Sequence, residues 1–347
     1  MIIENFRIRS AKKSDIEELY YLSKKVYFIN LPSDRKIIRK KIALSIKSFS
    51  NEVIKGEKTE FIFVLEDLKK NKIAGCCSII AQHGTADEPH TFFKVAQKTQ
   101  KSKSLNIQKT HEVLRIGFNY NGPTEIGGLV LLPQYRGHQY KLGLFLSFVR
   151  FAYIAARKPF FQKQIMAELM PPLDNKNKSL LWEELGARFT GLSYQQADVL
   201  SRKNKEFIIN LFPEGDIYTA FLSHQAKALI GEVGKNTQPV KKMLSSIGFE
   251  YSNMIDPFDG GPHYWAQTDD VLPIKNTLLL SKKVNKKILR FKKSKWAIVL
   301  SVDLKNGSCN ARWMKSPQFS KSLRRYYFKN PDTMIKAGQE SYFLPIG

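Results

Sequence analysis

The longest apolar stretch of the chain is the segment Leu142–Ala156, in which Arg150 is the one charged residue. A helix that spans a bilayer needs roughly 20 apolar residues, so this shorter segment predicts a helix buried in a protein core. It follows a buried-strand pattern, Ile126–Pro133, and a loop over 134–139. A strand that turns at a loop into a long helix presents backbone N–H groups and a helix N-terminus to phosphate. The segment therefore predicts a buried strand–loop–helix unit with a phosphate-binding end.

Length and composition indicate a folded protein of one large domain or two smaller ones. The 347 residues are 43% hydrophobic and 12% aromatic, which provides a sizeable core and excludes general disorder. Of the three cysteines, Cys76, Cys77 and Cys309, two are adjacent and none forms a C-x-x-C pair, so a disulfide framework and a zinc site are both unsupported. The first residues lack the apolar region of a secretion signal. We therefore expect a cytoplasmic protein without a transmembrane segment.

The chain is strongly basic, with a formal net charge of +25, and the charge is concentrated near its end. Between Ser281 and Asn330 there are fifteen lysine or arginine residues and one acid, Asp303. Two interpretations remain open. The stretch forms a solvated face, or it binds phosphates, nucleic acid or an anionic membrane surface.

The first eighty residues predict the order strand, helix, helix, strand, strand. A short strand near Arg7–Ala11 is followed by Ser14, which with Glu17 suits a capping box. A second helix is predicted over 33–49, and strand patterns follow over 61–65 and 73–79.

The rest of the chain divides into further segments with different patterns. The polar stretch about 82–112 is interpreted as an insertion, and 165–170 as a strand followed by a helix that ends at Gly186. The segment about 195–255 is expected to be mostly helical, with core positions Phe221, Leu222, Leu229 and Ile230. The residues 276–347 alternate apolar and polar side chains, which predicts a small β subdomain after a main region over 1–275.

Several motifs are typical of one family. Tyr135-Arg136-Gly137 is a weak signal alone, but it stands among Asn30-Leu31-Pro32, Phe63-Val64-Leu65-Glu66-Asp67, Ser102-Lys103-Ser104-Leu105-Asn106, Trp182-Glu183-Glu184-Leu185-Gly186, Ile217-Tyr218-Thr219, Phe221-Leu222-Ser223 and Ile255-Asp256-Pro257-Phe258-Asp259-Gly260-Gly261-Pro262. From Ile8 to about Asp270 the chain resembles the arginine N-succinyltransferases, which are related to the GNAT acyltransferases. The resemblance implies an α/β GNAT-type fold with a helical elaboration and a small C-terminal β subdomain.

The same resemblance implies an acyl-CoA-dependent N-acyltransferase. Its co-substrate would be succinyl-CoA or acetyl-CoA, its acceptor a cationic amine with arginine as the default, and its assembly a homodimer or paired subunits. The residues expected to hold CoA are Leu129, Val130, Leu131, Arg136, Gly137, His138, Lys141 and Gly143. The alternative is a catalytically weakened acyltransferase fold that binds an anionic partner through the basic residues 281–330.

Candidate catalytic residues remain open because the histidine that the family uses aligns with Gly234. Glu125 lies four residues before Leu129, which in a straight strand puts both on one face; we expect it to act as base or amine ligand, or as a structural carboxylate. His263 is the alternative base.

Three further carboxylates are candidates for binding the substrate. Glu168 is expected to pair with a guanidinium or with an internal cation. Asp256 and Asp259 are expected to bind substrate or to accept turn amides. His83, His90 and His111 lack ligand spacing, so the sequence predicts no metal site.

Overall fold

The computed structural model describes residues 2–25, 32–52, 58–174, 178–201, 206–280, 294–315 and 338–347. The strands are β1 (Ile2–Ser10), β2 (Glu60–Asp67), β3 (Lys72–Ile80), β4 (His90–Ser102), β5 (Ile107–Asn119), β6 (Thr124–Leu131), β7 (Gln164–Glu168), β8 (Ile217–Tyr218), β9 (Glu250–Ile255), β10 (Pro262–Gln267), β11 (Leu278–Leu279), β12 (Trp296–Asp303), β13 (Cys309–Lys315) and β14 (Gln339–Ile346). The helices are α1 (Ile16–Lys25), α2 (Arg35–Phe49), α3 (Leu142–Ala156), α4 (Ala187–Thr190), α5 (Tyr194–Ser201), α6 (Glu206–Leu211), α7 (His224–Lys227), α8 (Gln238–Ser246) and α9 (Leu272–Asn276).

The chain forms two compact units. The first consists of Met1–Ala81, Thr124–Lys163 and Thr268–Gly347, and the second of Gln82–Pro123 and Gln164–Gln267. The predicted boundary at 275 does not separate them, because β13 pairs with β1 and thereby joins the C-terminal strands to the first unit. The predicted insertion about 82–112 lies wholly within the second unit.

The first unit has an antiparallel sheet in the order β11-β14-β12-β13-β1-β2-β3-β6 among its described residues. The helix α3 packs on this sheet: the ring of Phe145 stacks on Trp313 with centroids 4.9 Å apart, and Tyr153 contacts Phe61 at 5.2 Å. Leu146, Val149 and Ile154 of α3 are fully buried. The prediction of a buried helix over Leu142–Ala156 is confirmed, and no described helix is long and apolar enough to cross a membrane.

The second unit contains the strands β7-β10-β9-β4-β5-β8, in that order. Its longest element is the hairpin of β4 and β5, which pair from His90↔Asn119 to Ser102↔Ile107. Its core contains Trp182, whose indole stacks on Phe258 at 5.0 Å.

The opening order of strand, helix, helix, strand, strand is confirmed, but two local predictions are wrong. The turn before α1 is held by Asp15 rather than by Ser14, since the Asp15 carboxylate accepts the backbone N–H of Lys12 at 2.7 Å. The helix after Leu181 does not stop at Gly186. It continues from a π-helical turn over Trp182–Gly186 into α4 and ends before Gly191, whose φ is +69°.

The segment 195–255 is less helical than predicted, because short helices there alternate with β8 and β9. Phe221 is 85% exposed, so its prediction as a core position is wrong. Leu222, Leu229 and Ile230 are partly buried, and Leu222 and Ile230 pack against the edge of the core of the second unit. Much of the basic stretch Ser281–Asn330 lies outside the described residues. The part that is described, 294–315, includes β12 and β13.

Candidate active site

Strand β6 of the first unit contains a β-bulge at Gly128 and Leu129. The ladder with β3 shifts between Cys76 and Ser78, where the single residue Cys77 faces both bulge residues. Gly128 has a φ of +57°, and a Cβ there would lie 2.7 Å from the Ser78 hydroxyl oxygen, so glycine suits the bulge on both grounds. A bulge leaves its extra residue out of the ladder. The ladder between β3 and β6 is therefore interrupted at this point of β6.

The bulge places Glu125 and Leu129 on opposite faces of β6. Glu125 pairs with Ile80, whereas Leu131, which shares a face with Leu129, pairs with Gly75. Residues 80 and 75 of β3 are an odd number of positions apart, so they point to opposite faces. The prediction of a shared face is wrong, because one inserted residue shifts the alternation of the strand by one. The side chain of Glu125 is buried, with 2% exposure.

Arg150 joins α3 to the strand beside the bulge. Its guanidinium donates to the carbonyl oxygen of Gly127 at 3.2 Å and to the hydroxyl and carbonyl oxygens of Ser147 at 2.9 and 3.1 Å. The side chain is 3% exposed, and this burial lowers the pKa of Arg150 from its usual value. The helix position is therefore coupled to the backbone at the bulge.

The loop between β6 and α3 is anchored near both of its ends. The hydroxyl of Tyr135 donates to Oδ2 of Asp67 at 2.8 Å; burial, and then this hydrogen bond, raise the pKa of Tyr135 to about 12. Near α3, the indole Nε1 of Trp313 donates to the carbonyl oxygen of Tyr140 at 2.7 Å. The C-terminal strand β13 therefore supports the segment that the sequence assigns to the cofactor.

The predicted phosphate-binding residues lie together at the N-terminus of α3. Arg136, Gly137 and Lys141 are exposed, and Gly143 lies in the first turn of the helix. Gly137 and Lys141 have φ values of +68° and +49°. The free N–H groups at a helix N-terminus favour an anion, and the two cations stand beside them. The nearby backbone of Leu131 accepts a hydrogen bond from Nε of Arg136 at 3.2 Å.

His138 has a packing role in this loop. Its ring lies edge-on to Phe6 with centroids 5.3 Å apart, and its Nδ1 accepts the backbone N–H of Tyr140 at 3.2 Å. These contacts shape the turn that leads into α3.

Asp256 and Asp259 hold the turn between β9 and β10. Oδ1 of Asp256 accepts the backbone N–H groups of Phe258 and Asp259 at 2.7 and 3.2 Å. Oδ1 of Asp259 accepts the N–H of Gly261 at 2.8 Å. The alternative of turn-stabilising carboxylates, left open by the sequence, matches these bonds.

The second unit brings Glu168 together with three histidines. Oε1 of Glu168, at the end of β7, lies 3.6 Å from Nε2 of His90 and 3.6 Å from Nε2 of His263, its cross-strand neighbour on β10. The rings of His83 and His90 are 4.6 Å apart, and those of His90 and His263 are 5.1 Å apart. His90 and His263 are 1% and 0% exposed.

This cluster defines the surroundings of Glu168. Burial raises the pKa of Glu168, but hydrogen bonding with His90 and the charges of His263 and His83 outweigh it, and the net pKa lies well below its usual range. Of the two partners expected for Glu168, the described contacts are with side chains of its own unit, the imidazoles of His90 and His263. The sequence missed the cluster because Glu168 is far along the chain from His83 and His90, and the two histidines by themselves have no typical ligand spacing.

Gly234, at which the sequence resemblance places the family's histidine, lies against backbone atoms. A Cβ on Gly234 would lie 2.7 Å from the carbonyl oxygen of Pro171, and the Gly234 N–H donates to the carbonyl oxygen of Met170 at 2.9 Å. A side chain at this position therefore requires the backbone to move.

The family model and the similar proteins found by comparison all indicate the same family. A family model described as arginine N-succinyltransferase beta subunit matches residues 6–273. The arginine N-succinyltransferase of Yersinia pseudotuberculosis serotype O:3 is 32% identical over 274 residues, covering 78% of this chain and 77% of that protein. That of Citrobacter koseri is 34% identical over 276 residues, covering 79% of each.

A solved structure confirms the fold. The structure of arginine/ornithine succinyltransferase subunit AI from Pseudomonas aeruginosa matches with a TM-score of 0.78 and 22% identity, over 99% of both chains. The predicted α/β fold is confirmed along with the family resemblance. The chain belongs to the arginine N-succinyltransferase family of acyl-CoA-dependent acyltransferases.

Proposed function

We propose that this chain transfers a succinyl group from succinyl-CoA to the α-amine of arginine or of a similar cationic amino acid. The observation that carries the proposal is the bulge at Gly128 and Leu129, placed at the entrance to the loop and helix α3. The two relatives described above are named arginine N-succinyltransferase, and their name supports the choice of succinyl-CoA as donor and arginine as acceptor.

The donor would lie along β6 and the following loop. The backbone at the bulge, around Leu129, suits the amides of the pantetheine arm, because the ladder is interrupted there. The N-terminus of α3, with Arg136 and Lys141 beside it, suits the phosphates. Anchoring of the loop by Tyr135 and Trp313 fixes these groups before CoA binds, which reduces the ordering cost of binding.

The transfer forms a C–N bond and breaks a C–S bond. The neutral amine attacks the thioester carbonyl carbon, CoA leaves as its thiol, and the ammonium proton must pass to a base. Glu125 is the proposed base or amine ligand on β6, on the face opposite Leu129. Cofactor contacts and proton transfer would then involve opposite faces of one strand.

The replacement of the family's histidine by Gly234 predicts a slow enzyme. A positioned general base contributes roughly 10²–10⁴-fold to a rate, so we expect a kcat lower by a factor in this range than in relatives that keep the histidine. The fold and the cofactor segment do not depend on Gly234.

The test measures release of the CoA thiol with a chromogenic disulfide reagent. Cys76, Cys77 and Cys309 are all buried, and burial raises the pKa of each thiol, so the folded protein contributes little background. Succinyl-CoA and acetyl-CoA are each assayed with arginine, ornithine, lysine and no amine. Amine-dependent thiol release with succinyl-CoA and arginine above the other pairs supports the proposal. Thiol release that no amine increases contradicts it.

A binding measurement separates a slow enzyme from a wrong assignment. A ligand present at about 100 times its Kd stabilises a folded protein by roughly 2.7 kcal/mol. Thermal unfolding with succinyl-CoA should therefore shift even when turnover is slow. Absence of a shift with either CoA thioester at millimolar concentration would remove the cofactor assignment altogether.

A further inference from the structure

Two histidines and one carboxylate of the second unit converge on a small volume. His83, His90 and Glu168 each offer one ligand atom, and these three atoms all lie within 4.8 Å of one another. His90 is buried, whereas His83 and Glu168 are partly exposed. None of the three belongs to the bulge, the loop or the helix that the proposed function uses for CoA.

The distances approach those between ligands of a tetrahedral ion. Zinc–nitrogen and zinc–oxygen bonds of 2.0–2.1 Å put two ligand atoms of a tetrahedral site about 3.4 Å apart. Nε2 of His90 and Oε1 of Glu168 are 3.6 Å apart. The third ligand atom, on His83 in the segment before β4, lies within 4.8 Å of the other two.

His263 contacts two of these three residues, Glu168 and His90. Nε2 of His263 lies 3.6 Å from the same oxygen, Oε1, and the His263 ring lies against His90 at a centroid distance of 5.1 Å. Carboxylates and imidazoles that bind metal are held by such outer contacts. His263 and Glu168 are directly opposed in the β7–β10 ladder, so the backbone fixes this contact.

We propose that His83, His90 and Glu168 bind a divalent transition-metal ion of the zinc class, with His263 as the residue that positions Glu168. Imidazole nitrogens with one carboxylate oxygen form a donor set that zinc and its neighbours favour. Three protein ligands leave at least one coordination position for water or for a carboxylate of a small ligand. This site uses none of the residues that the proposed function assigns to CoA.

The direct test is titration of the full, EDTA-dialysed chain with ZnCl2 by calorimetry and with CoCl2 by visible absorption. We expect one equivalent of zinc to bind, and a cobalt spectrum with d–d bands but without the charge-transfer band of a thiolate ligand. The buried cysteines do not compete for the ion. A stoichiometry near zero, or a thiolate band, overturns the proposal.

Matched variants locate the site. His83→Gln and Glu168→Gln each remove one ligand at a partly exposed position, and each should weaken zinc binding at least tenfold. His224→Gln is the control, because His224 is an exposed histidine of the same unit on α7. Zinc should raise the Tm of the parent and of His224→Gln but not of the two ligand variants.

The outcomes remain readable if a variant folds poorly, because the cobalt spectrum of the unaltered chain tests the ligand types by itself. Equal zinc affinity in His83→Gln, Glu168→Gln and His224→Gln would place the ion elsewhere and overturn the assignment. Because the readout is metal binding, a failure here leaves the thiol-release and CoA-binding results unaffected.

Discussion

The backbone N–H of Gly234 donates to the carbonyl oxygen of Met170 at 2.9 Å, and the carbonyl oxygen of Pro171 lies 2.7 Å from where a Gly234 Cβ would be. Backbone atoms therefore close the position at which the sequence resemblance predicts a catalytic histidine. Restoring the histidine requires more than restoring the residue type, because carbonyl groups move less readily than side chains.

The first prediction concerns this position. Gly234→His should lower the free energy of unfolding by about 1–3 kcal/mol, the usual cost of overpacking, and should not raise kcat. The control is Gly215→His, since Gly215 is exposed and a Cβ there would meet no atom within 4 Å. Thermal or denaturant unfolding with parallel thiol-release assays checks both effects. A variant with unchanged stability and faster turnover would show that the site accommodates the imidazole.

Lys141 combines a strained backbone with a charge at the cofactor segment. Its φ of +49° costs a residue other than glycine roughly 1–2 kcal/mol, so Lys141→Gly should raise the Tm. The same change removes a cation from the N-terminus of α3 and should weaken CoA binding several-fold, with a smaller salt dependence. Asparagine tolerates a positive φ, so Lys141→Asn should keep the backbone conformation and show the same loss of CoA affinity. Unchanged affinity in both variants would make Lys141 irrelevant to the cofactor, and improved affinity would identify it as an obstruction.

Glu125 and Leu129 lie on opposite faces of β6. We therefore expect a substitution of Glu125 to lower kcat without weakening CoA binding. Glu125→Gln keeps the shape of the side chain and removes its proton-accepting charge. The kcat should fall at least 100-fold, within the range for loss of a general base, while CoA affinity stays within about twofold. Steady-state kinetics and CoA calorimetry measure the two quantities. Turnover equal to that of the parent would remove Glu125 from the mechanism.

The bond from Trp313 to Tyr140 makes β13 a support of the cofactor loop. Trp313→Phe keeps an aromatic ring but deletes the donor and part of a fully buried indole, which should cost at least about 1 kcal/mol of stability and weaken CoA binding. The matched control is Trp296→Phe, because Trp296 stacks on the same indole at 5.0 Å. The comparison fails if both variants lose equal CoA affinity, since stacking rather than the hydrogen bond would then position the loop.

The ion pairs of Asp216 predict that the stability of the protein depends on pH in the acid range. Hydrogen bonds and charges from Arg115 and Lys98 lower the pKa of Asp216 to about 2. A carboxyl group with a depressed folded-state pKa stabilises the fold above its unfolded pKa, near 3.9, and loses that contribution as the pH falls toward 2. The Tm of the parent should therefore fall more steeply from pH 4 to pH 2 than that of Asp216→Asn. Parallel curves would show that the ion pairs of Asp216 do not contribute to stability.

The sequence by itself determined the local elements of the first unit and the family. The segment Leu142–Ala156 is too short to span a bilayer, which needs roughly 20 apolar residues. It has only one charged residue, Arg150, so it lacks the polar face of a surface helix and had to be buried. The motifs from Asn30 to Pro262 carried the resemblance, and the family comparisons confirmed it. These features depend on residue type and on spacing within short windows, which a linear sequence displays directly.

The tertiary structure decided where those elements meet. The bulge at Gly128 reversed the expected face of Leu129, because a one-residue register shift depends on pairing with β3 and not on β6 alone. The cluster of His83, His90 and Glu168 formed because β4, which begins at His90, and β7, which ends at Glu168, belong to one sheet although they are distant in the chain. The closed surroundings of Gly234 likewise follow from a non-local contact with Met170 and Pro171. Contacts between residues that are distant in the chain depend on how the strands pair. The residue pattern of one strand does not show which strand lies beside it or in which register.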